Sequence, residues 1–155
     1  SKSTRDERTE EEKMLHSVLV SAPIAAVLAI AGADGKVDEK EFAAAVEFMT
    51  ELVKKDGSVV LRQIYAESIS QLKPILGMLT GDTLAKVMAS VPQAMDRLLD
   101  DKDKALFVDS LVRLMQATAA ASGGFLSFGE NISRKERKRI AAIEAMLLGI
   151  DGADA

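Results

Sequence analysis

Apolar and polar positions follow each other along this chain with the period of an α-helix. The clearest stripe lies in 38–54, where one face collects Phe42, Ala45, Val46, Met49, Leu52 and Val53. Similar stripes predict further helices over 10–32, 59–79, 83–99, 106–121 and 133–148. No run alternates with the period of two that is typical of a strand. The pattern predicts an all-α fold, a compact bundle of six to eight helices.

Three prolines and one charge run qualify this prediction. Pro23 leaves open whether the first stripe is one helix or two, because proline lacks the backbone donor and crowds the preceding turn. Pro74 and Pro92 are expected to bend the helices that contain them. The run Asp-Asp-Lys-Asp-Lys over 100–104 is expected to be a solvated joint between two helices.

Length and composition indicate one domain. A chain of 155 residues with 48% apolar and 28% charged residues is long enough for a sizeable core. We expect a flexible N-terminal arm over 1–9, a single helical domain over 10–149 and a tail over 150–155. The absence of cysteine excludes disulfides, thiolate zinc sites and cysteine nucleophiles. A net charge of −4 gives no general basic footprint, so nucleic acid is not an expected partner.

Twenty consecutive uncharged residues lie between Lys13 and Asp34, which is the length of a membrane span. However, the run contains Ser21 and Pro23, is richer in Ala than in Leu, and lacks basic or aromatic flanks. We therefore interpret it as a buried core helix. The acidic residues 10–12 stand where a signal peptide would carry basic ones, so we expect a cytoplasmic protein.

One construction occurs twice in the chain. An apolar, Ala-rich helix is followed by a turn, a capping box and an amphipathic helix. The first box pairs Asp38 with Glu41, and the second pairs Ser133 with Glu136. In such a box the first side chain accepts from one free backbone N–H and the glutamate accepts from another. The repeat predicts two helix–turn–helix units.

The first copy reads Ala33-Asp34-Gly35-x-Val37-Asp38-x-x-Glu41 between its two helices. Together with the altered copy near the C-terminus, this resembles the tellurite-resistance TerB-like family. The resemblance implies an all-helical, stress-linked cytoplasmic protein that acts with partners and has no settled enzymatic activity. It also implies that the acidic turn holds a metal ion through Asp34, Asp38 and Glu41. This chain departs from the pattern in the second copy, where Ser122 replaces the aspartate and an insert brings in Glu130.

Carboxylates in such turns suit a hard divalent cation such as Ca²⁺ or Mg²⁺. An ordinary EF-hand is not expected, because Ile30 and Gly32 occupy the first and third ligand positions of its loop. A metal would then need acids from the second turn as well as the first. Alternatively, the acids of the first turn serve only in capping and turn formation. The candidate ligands are Asp34, Asp38, Glu41, Glu130 and Glu136.

Two surfaces are candidates for binding a protein partner. The first is a run of five cations in the opening turns of the last helix, where the helix macrodipole disfavours positive charge: Arg134, Lys135, Arg137, Lys138 and Arg139. These charges either are offset by acidic neighbours or dock an acidic partner; a membrane surface would be reached only through that partner. The second is the insert 122–132, whose Phe125 and Phe128 either fold back as a lid or stay exposed. The sequence leaves open whether the chain also forms a homodimer.

Catalytic chemistry has no visible parts. The single histidine, His16, has no serine or cysteine partner in any recognisable pattern, and Gly123-Gly124 lacks the lysine of a phosphate loop. We therefore expect a non-enzymatic TerB-like stress-response module of the tellurite-resistance type that binds a divalent metal through its acidic turns. The alternative is a metal-free helical interaction or scaffold domain that uses 133–148 or 122–132.

Overall fold

The computed structural model describes residues 2–31, 38–55, 57–121 and 132–150, with side chains from Thr9 onward. Seven α-helices and no strand lie in these ranges, which confirms the predicted all-α bundle. The helices are α1 (Lys2–Ala31), α2 (Glu39–Lys55), α3 (Val59–Ser70), α4 (Leu72–Met78), α5 (Asp82–Leu98), α6 (Asp101–Ala121) and α7 (Arg134–Leu148).

Helix α1 forms the centre of the bundle and packs against each of the other six described helices. Its segment Thr9–Ala31 is long and apolar enough to cross a membrane, but 67% of the residues in its most apolar window are buried inside the fold. Ala22, Ala25 and Ala26 are fully buried. Small side chains let neighbouring helix axes approach α1 closely. The uncharged run is thus a core helix here, as predicted.

The structure resolves the question posed by Pro23. Helix α1 continues through this residue as a single helix, and the residues on both sides of Pro23 are buried. The same helix begins at Lys2, so the residues predicted as an arm over 1–9 are helical wherever the structure describes them. Helix α5 likewise continues through Pro92.

The prediction of a single helix over 59–79 is wrong, because this range forms two helices. Helix α3 ends at Ser70, and α4 begins at Leu72 after a break at Gln71. The proline ring of Pro74 would clash with the carbonyl four residues earlier, which belongs to Ser70. In α4 the same proline occupies the first turn, where its missing N–H removes no hydrogen bond.

The charge run over 100–104 is also not a joint. Asp100 is the cap, since its Oδ1 accepts from the backbone N–H of Asp103 at 2.7 Å, and α6 begins at Asp101. Aspartates in a first helical turn are stabilised by the positive end of the macrodipole. The prediction failed because it treated the charges as solvated spacers and overlooked their capping chemistry.

The core between α3 and α6 contains a buried polar contact. Tyr65 and Phe107 are fully buried with ring centroids 6.2 Å apart. The Tyr65 hydroxyl lies 2.7 Å from the Ser110 hydroxyl, which donates to the Phe107 carbonyl at 2.7 Å. Four methionines are buried in the core, where their flexible side chains suit irregular gaps: Met49, Met88, Met95 and Met115.

Helix α7 packs against α5 and α6 through buried Ile140 and Leu147. It begins at the predicted capping box and ends at Gly149, whose φ of 72° is in the left-handed region. Two hydrogen bonds close that end: Gly149 N–H donates to the Met146 carbonyl, and Ile150 N–H donates to the Ala145 carbonyl. This is the Schellman arrangement of a helix C-terminus.

Candidate functional site

Asp38 is the N-cap of α2, as the sequence predicted. Its Oδ1 accepts from the backbone N–H of Lys40 at 2.8 Å and of Glu41 at 3.2 Å, and its side chain is exposed. These bonds satisfy two of the backbone donors that a helix start leaves free. The carboxylate therefore has a structural task whether or not it also binds a metal.

Glu41 stands one turn into α2 and is buried, with only 6% of its surface exposed. A carboxylate in this position is favoured by the macrodipole of α2 but loses hydration. The sequence predicted Glu41 as a capping residue and as a candidate metal ligand, but it did not predict this burial. Asp34, the third acid of this turn, lies outside the described residues.

Glu136 belongs to the second capping box, which is complete. Its Oε1 accepts from the Ser133 backbone N–H at 3.1 Å, and Ser133 Oγ accepts from the Glu136 N–H at 3.1 Å. The other candidate acid of the second turn, Glu130, lies outside the described residues. Helix α2 packs mainly on α3 and α6, whereas α7 packs mainly on α5 and α6.

Within the described ranges, no group of three or more His, Asp and Glu side chains converges as a metal site would require. Of the five predicted ligands, the structure describes Asp38, Glu41 and Glu136. Two of these three make hydrogen bonds that explain them as capping residues. The five-acid site stays a prediction, because it depends on residues of both interhelical turns.

The basic surface, defined as Arg134, Lys135, Arg137, Lys138 and Arg139, covers the first two turns of α7. Four of its side chains are exposed and Arg139 is half-buried. In the part of the chain that the structure describes, none of the five forms an ion pair, although ion pairs form elsewhere on the surface. On α1, Glu11 pairs with Arg97 and Glu10 with Lys13, so neither of these two acids forms an ion pair with the basic surface.

A third feature escaped the sequence reasoning. His16 on α1 and Glu67 on α3 form a hydrogen bond of 2.9 Å, with about half of each side chain exposed. The pair lies between a cavity of about 530 Å³, lined by His16, and one of about 170 Å³, lined by both residues. Fifty-one positions separate the two residues, so no local pattern could have joined them.

The chemistry of this pair is limited by its neighbours. A histidine oriented by a carboxylate can act as a base toward a nearby nucleophile. Ser17 lines both cavities, but among the described residues no hydrogen bond joins it to His16. The hydrogen bond between His16 and Glu67 links α1 to α3.

No protein-family model, curated protein or solved structure matches this chain. Two places among the described residues combine charged side chains with unusual surroundings. They are the start of α2, with Asp38 and Glu41, and the basic surface on α7.

Proposed function

We propose that this chain is a non-enzymatic helical interaction domain, and that its basic surface docks an acidic segment of a partner protein. The observation that carries the proposal is the lack of any ion pair at these five cations within the described residues. The rest of the chain is net acidic, so this surface differs in sign from the molecule that bears it.

Local electrostatics support this choice of partner. Five cations repel each other, and the positive end of the α7 macrodipole adds to their potential. Acidic side chains from a partner would relieve both effects and would be drawn to the surface at long range. Arginine forks also suit carboxylates, because they bind them through two parallel hydrogen bonds.

The proposal can be tested with a fluorescein-labelled oligoglutamate peptide and fluorescence anisotropy at low salt. We expect the wild-type chain to bind the peptide and the double variant Arg134→Glu/Arg137→Glu to bind at least ten-fold more weakly. A matched control is Lys73→Glu/Lys86→Glu, which reverses two exposed cations on α4 and α5. This control should keep wild-type affinity. Equal affinity of both double variants, or no binding by the wild type, would contradict the proposal.

A second candidate function is the TerB-like, stress-linked role with a divalent metal at the acidic turn. The observation that favours it is that Asp38 and Glu41, two of the predicted ligands, stand three residues apart at the start of α2. Carboxylate oxygens are the ligands that Ca²⁺ and Mg²⁺ prefer. A cation there would need further acids from the second turn to complete its coordination.

This candidate is tested by titrating the chain with Ca²⁺, Mg²⁺, Mn²⁺ and Zn²⁺ in a calorimeter and by measuring Tm with each ion. Asp38→Asn should keep the cap, because Asn and Asp cap equally well, but should weaken metal binding. Asp82→Asn, on the exposed start of α5, is the matched control. The absence of heat and of any Tm shift with all four ions would refute metal binding.

A further inference from the structure

The side of α7 that faces away from the core has a graded chemistry along its length. Positions three, four and seven apart share one side of a helix. We define the outer face of α7 as the residues in one such row, all exposed except half-buried Ala145: Arg134, Arg137, Lys138, Ala141, Ala145 and Leu148. It runs from cations, through small side chains, to an exposed leucine.

The apolar end of this face stands at the C-terminal end of α7. Leu148 is 51% exposed and Ile150 is 60% exposed, among the most exposed large apolar side chains in the described chain. The backbone N–H of Ile150 donates to the Ala145 carbonyl at 2.8 Å, and Gly149 supplies the left-handed turn between the two apolar residues. This helix end therefore presents two large apolar side chains, two residues apart, that a partner can cover.

We infer that the partner segment is an amphipathic helix that lies along the outer face of α7. The side of this helix that contacts α7 is acidic toward one end and apolar toward the other. This inference rests on the proposed function and specifies its partner. Carboxylates would meet Arg134 and Arg137, and leucine-like side chains would meet Leu148 and Ile150. Leu148 follows Arg137 by eleven positions, which correspond to about 16 Å along the helix axis, or about three helical turns of the partner. The alanines between them allow a close helix–helix approach.

A lipid surface fits this face less well. A helix that lies in a membrane interface buries a broad apolar face. The broad apolar face of α7, with Ile140 and Leu147, is already buried in the core. What faces outward carries its cations and its large apolar side chains at opposite ends, with alanines between them. A partner helix can match that order along its own axis.

The test uses two end-blocked peptides of roughly 18 residues, long enough for measurable helicity when bound. The first carries glutamates in its acidic half and leucines at helical spacing in the other half, and the second carries serine at each leucine position. We expect the leucine peptide to bind the full chain at least ten-fold more tightly than the serine peptide. Leu148→Ser/Ile150→Ser should abolish that difference and leave binding of the serine peptide unchanged.

Met78→Ser, on another exposed apolar side chain, is the matched control and should keep the difference. Equal affinity for the two peptides in the wild type would overturn the inference and leave the proposed function standing, whereas binding of neither would overturn both. Vesicles of phosphatidylserine and phosphatidylcholine provide the lipid arm, and sedimentation equilibrium tests for self-association. The inference would also be overturned if vesicle binding or self-association depended on Leu148 while the wild-type chain bound the leucine and serine peptides equally.

Discussion

Side chains with oxygen acceptors cap the N-termini of four of the described helices. Asp38, Ser58, Asp100 and Ser133 each precede a helix, and each accepts a hydrogen bond from a backbone N–H in the first turn. Ser58 also donates to Asp103 at 2.8 Å and so joins the start of α3 to the start of α6. Each such cap contributes about 1 kcal/mol to stability relative to alanine.

Substitution by alanine should have opposite effects on stability at two of the glycines. Gly77 lies within α4, and a Cβ added there meets no atom within 4 Å, whereas Gly149 has a φ of 72°. We expect Gly77→Ala to raise the free energy of unfolding by about 0.5–1 kcal/mol, because glycine loses more backbone entropy on folding. Gly149→Ala should lower it by about 1–2 kcal/mol through left-handed strain. Urea denaturation of both variants measures this, and the same sign for both would contradict it.

Exposed ion pairs form both within single helices and between helices. Glu51 pairs with Lys55 at 3.1 Å within α2, and Arg97 on α5 pairs with Glu11 on α1 at 3.1 Å. The Lys55 ammonium, through its hydrogen bond and charge, lowers the pKa of Glu51 below its usual value. Another pair joins Asp96 on α5 to Lys104 on α6, and the hydrogen bond to Asp96 raises the pKa of Lys104. Pairs on such exposed surfaces contribute little individually.

The Glu51 pair predicts a pH dependence with a definite sign. Since the pKa of Glu51 is lower in the folded chain than its ordinary value of 4.5, its contribution is present above pH 4.5 and is lost as the pH falls through the folded pKa. Wild type should therefore lose more Tm between pH 7 and pH 3 than Glu51→Gln does. Glu47→Gln, at an exposed glutamate with no ion pair among the described residues, is the control and should follow wild type. Equal losses in Glu51→Gln and wild type would exclude this contribution.

The sequence predicted elements where one local signal dominated and failed where two competed. The start of α7 was predicted correctly, because Ser133 and Glu136 form a capping box that depends only on spacing. The break at Gln71 was missed, because the proline that causes it stands three residues later. The contact between His16 and Glu67 depends on how α1 and α3 pack, so only the assembled bundle reveals it. The five-acid site also depends on how distant parts of the chain, the two interhelical turns, are placed relative to each other, and it stays a prediction.

At the scale of the whole molecule, α1 is the element around which the other helices are arranged. Leu19, Ile24 and Val27 are fully buried among α3, α5 and α6. Burying such side chains is worth about 1.5–3 kcal/mol each relative to leaving them in water. The bundle therefore supplies to α1 the apolar surroundings that a membrane would otherwise provide.

This arrangement predicts how the chain partitions in detergent. In a Triton X-114 phase separation the folded chain should stay in the aqueous phase, because the apolar surface of α1 is covered by protein. A variant with aspartate at fully buried Val27 should lose that cover by unfolding the bundle, since an isolated buried charge is strongly destabilising. We expect this variant to aggregate or to enter the detergent phase. Recovery of the wild-type chain from the detergent phase would contradict the core-helix assignment.

The order of α1 in the chain has a consequence for its synthesis. Helix α1 leaves the ribosome before α5 and α6, the helices that cover much of it, and about 90 further residues must follow before α6 is complete. At roughly 5–20 residues per second this interval is on the order of ten seconds. During that time a segment with the length and hydropathy of a membrane span lacks the part of its cover that α5 and α6 provide. The nascent chain is thus exposed to the factors that recognise apolar segments, and its folding competes with capture by them.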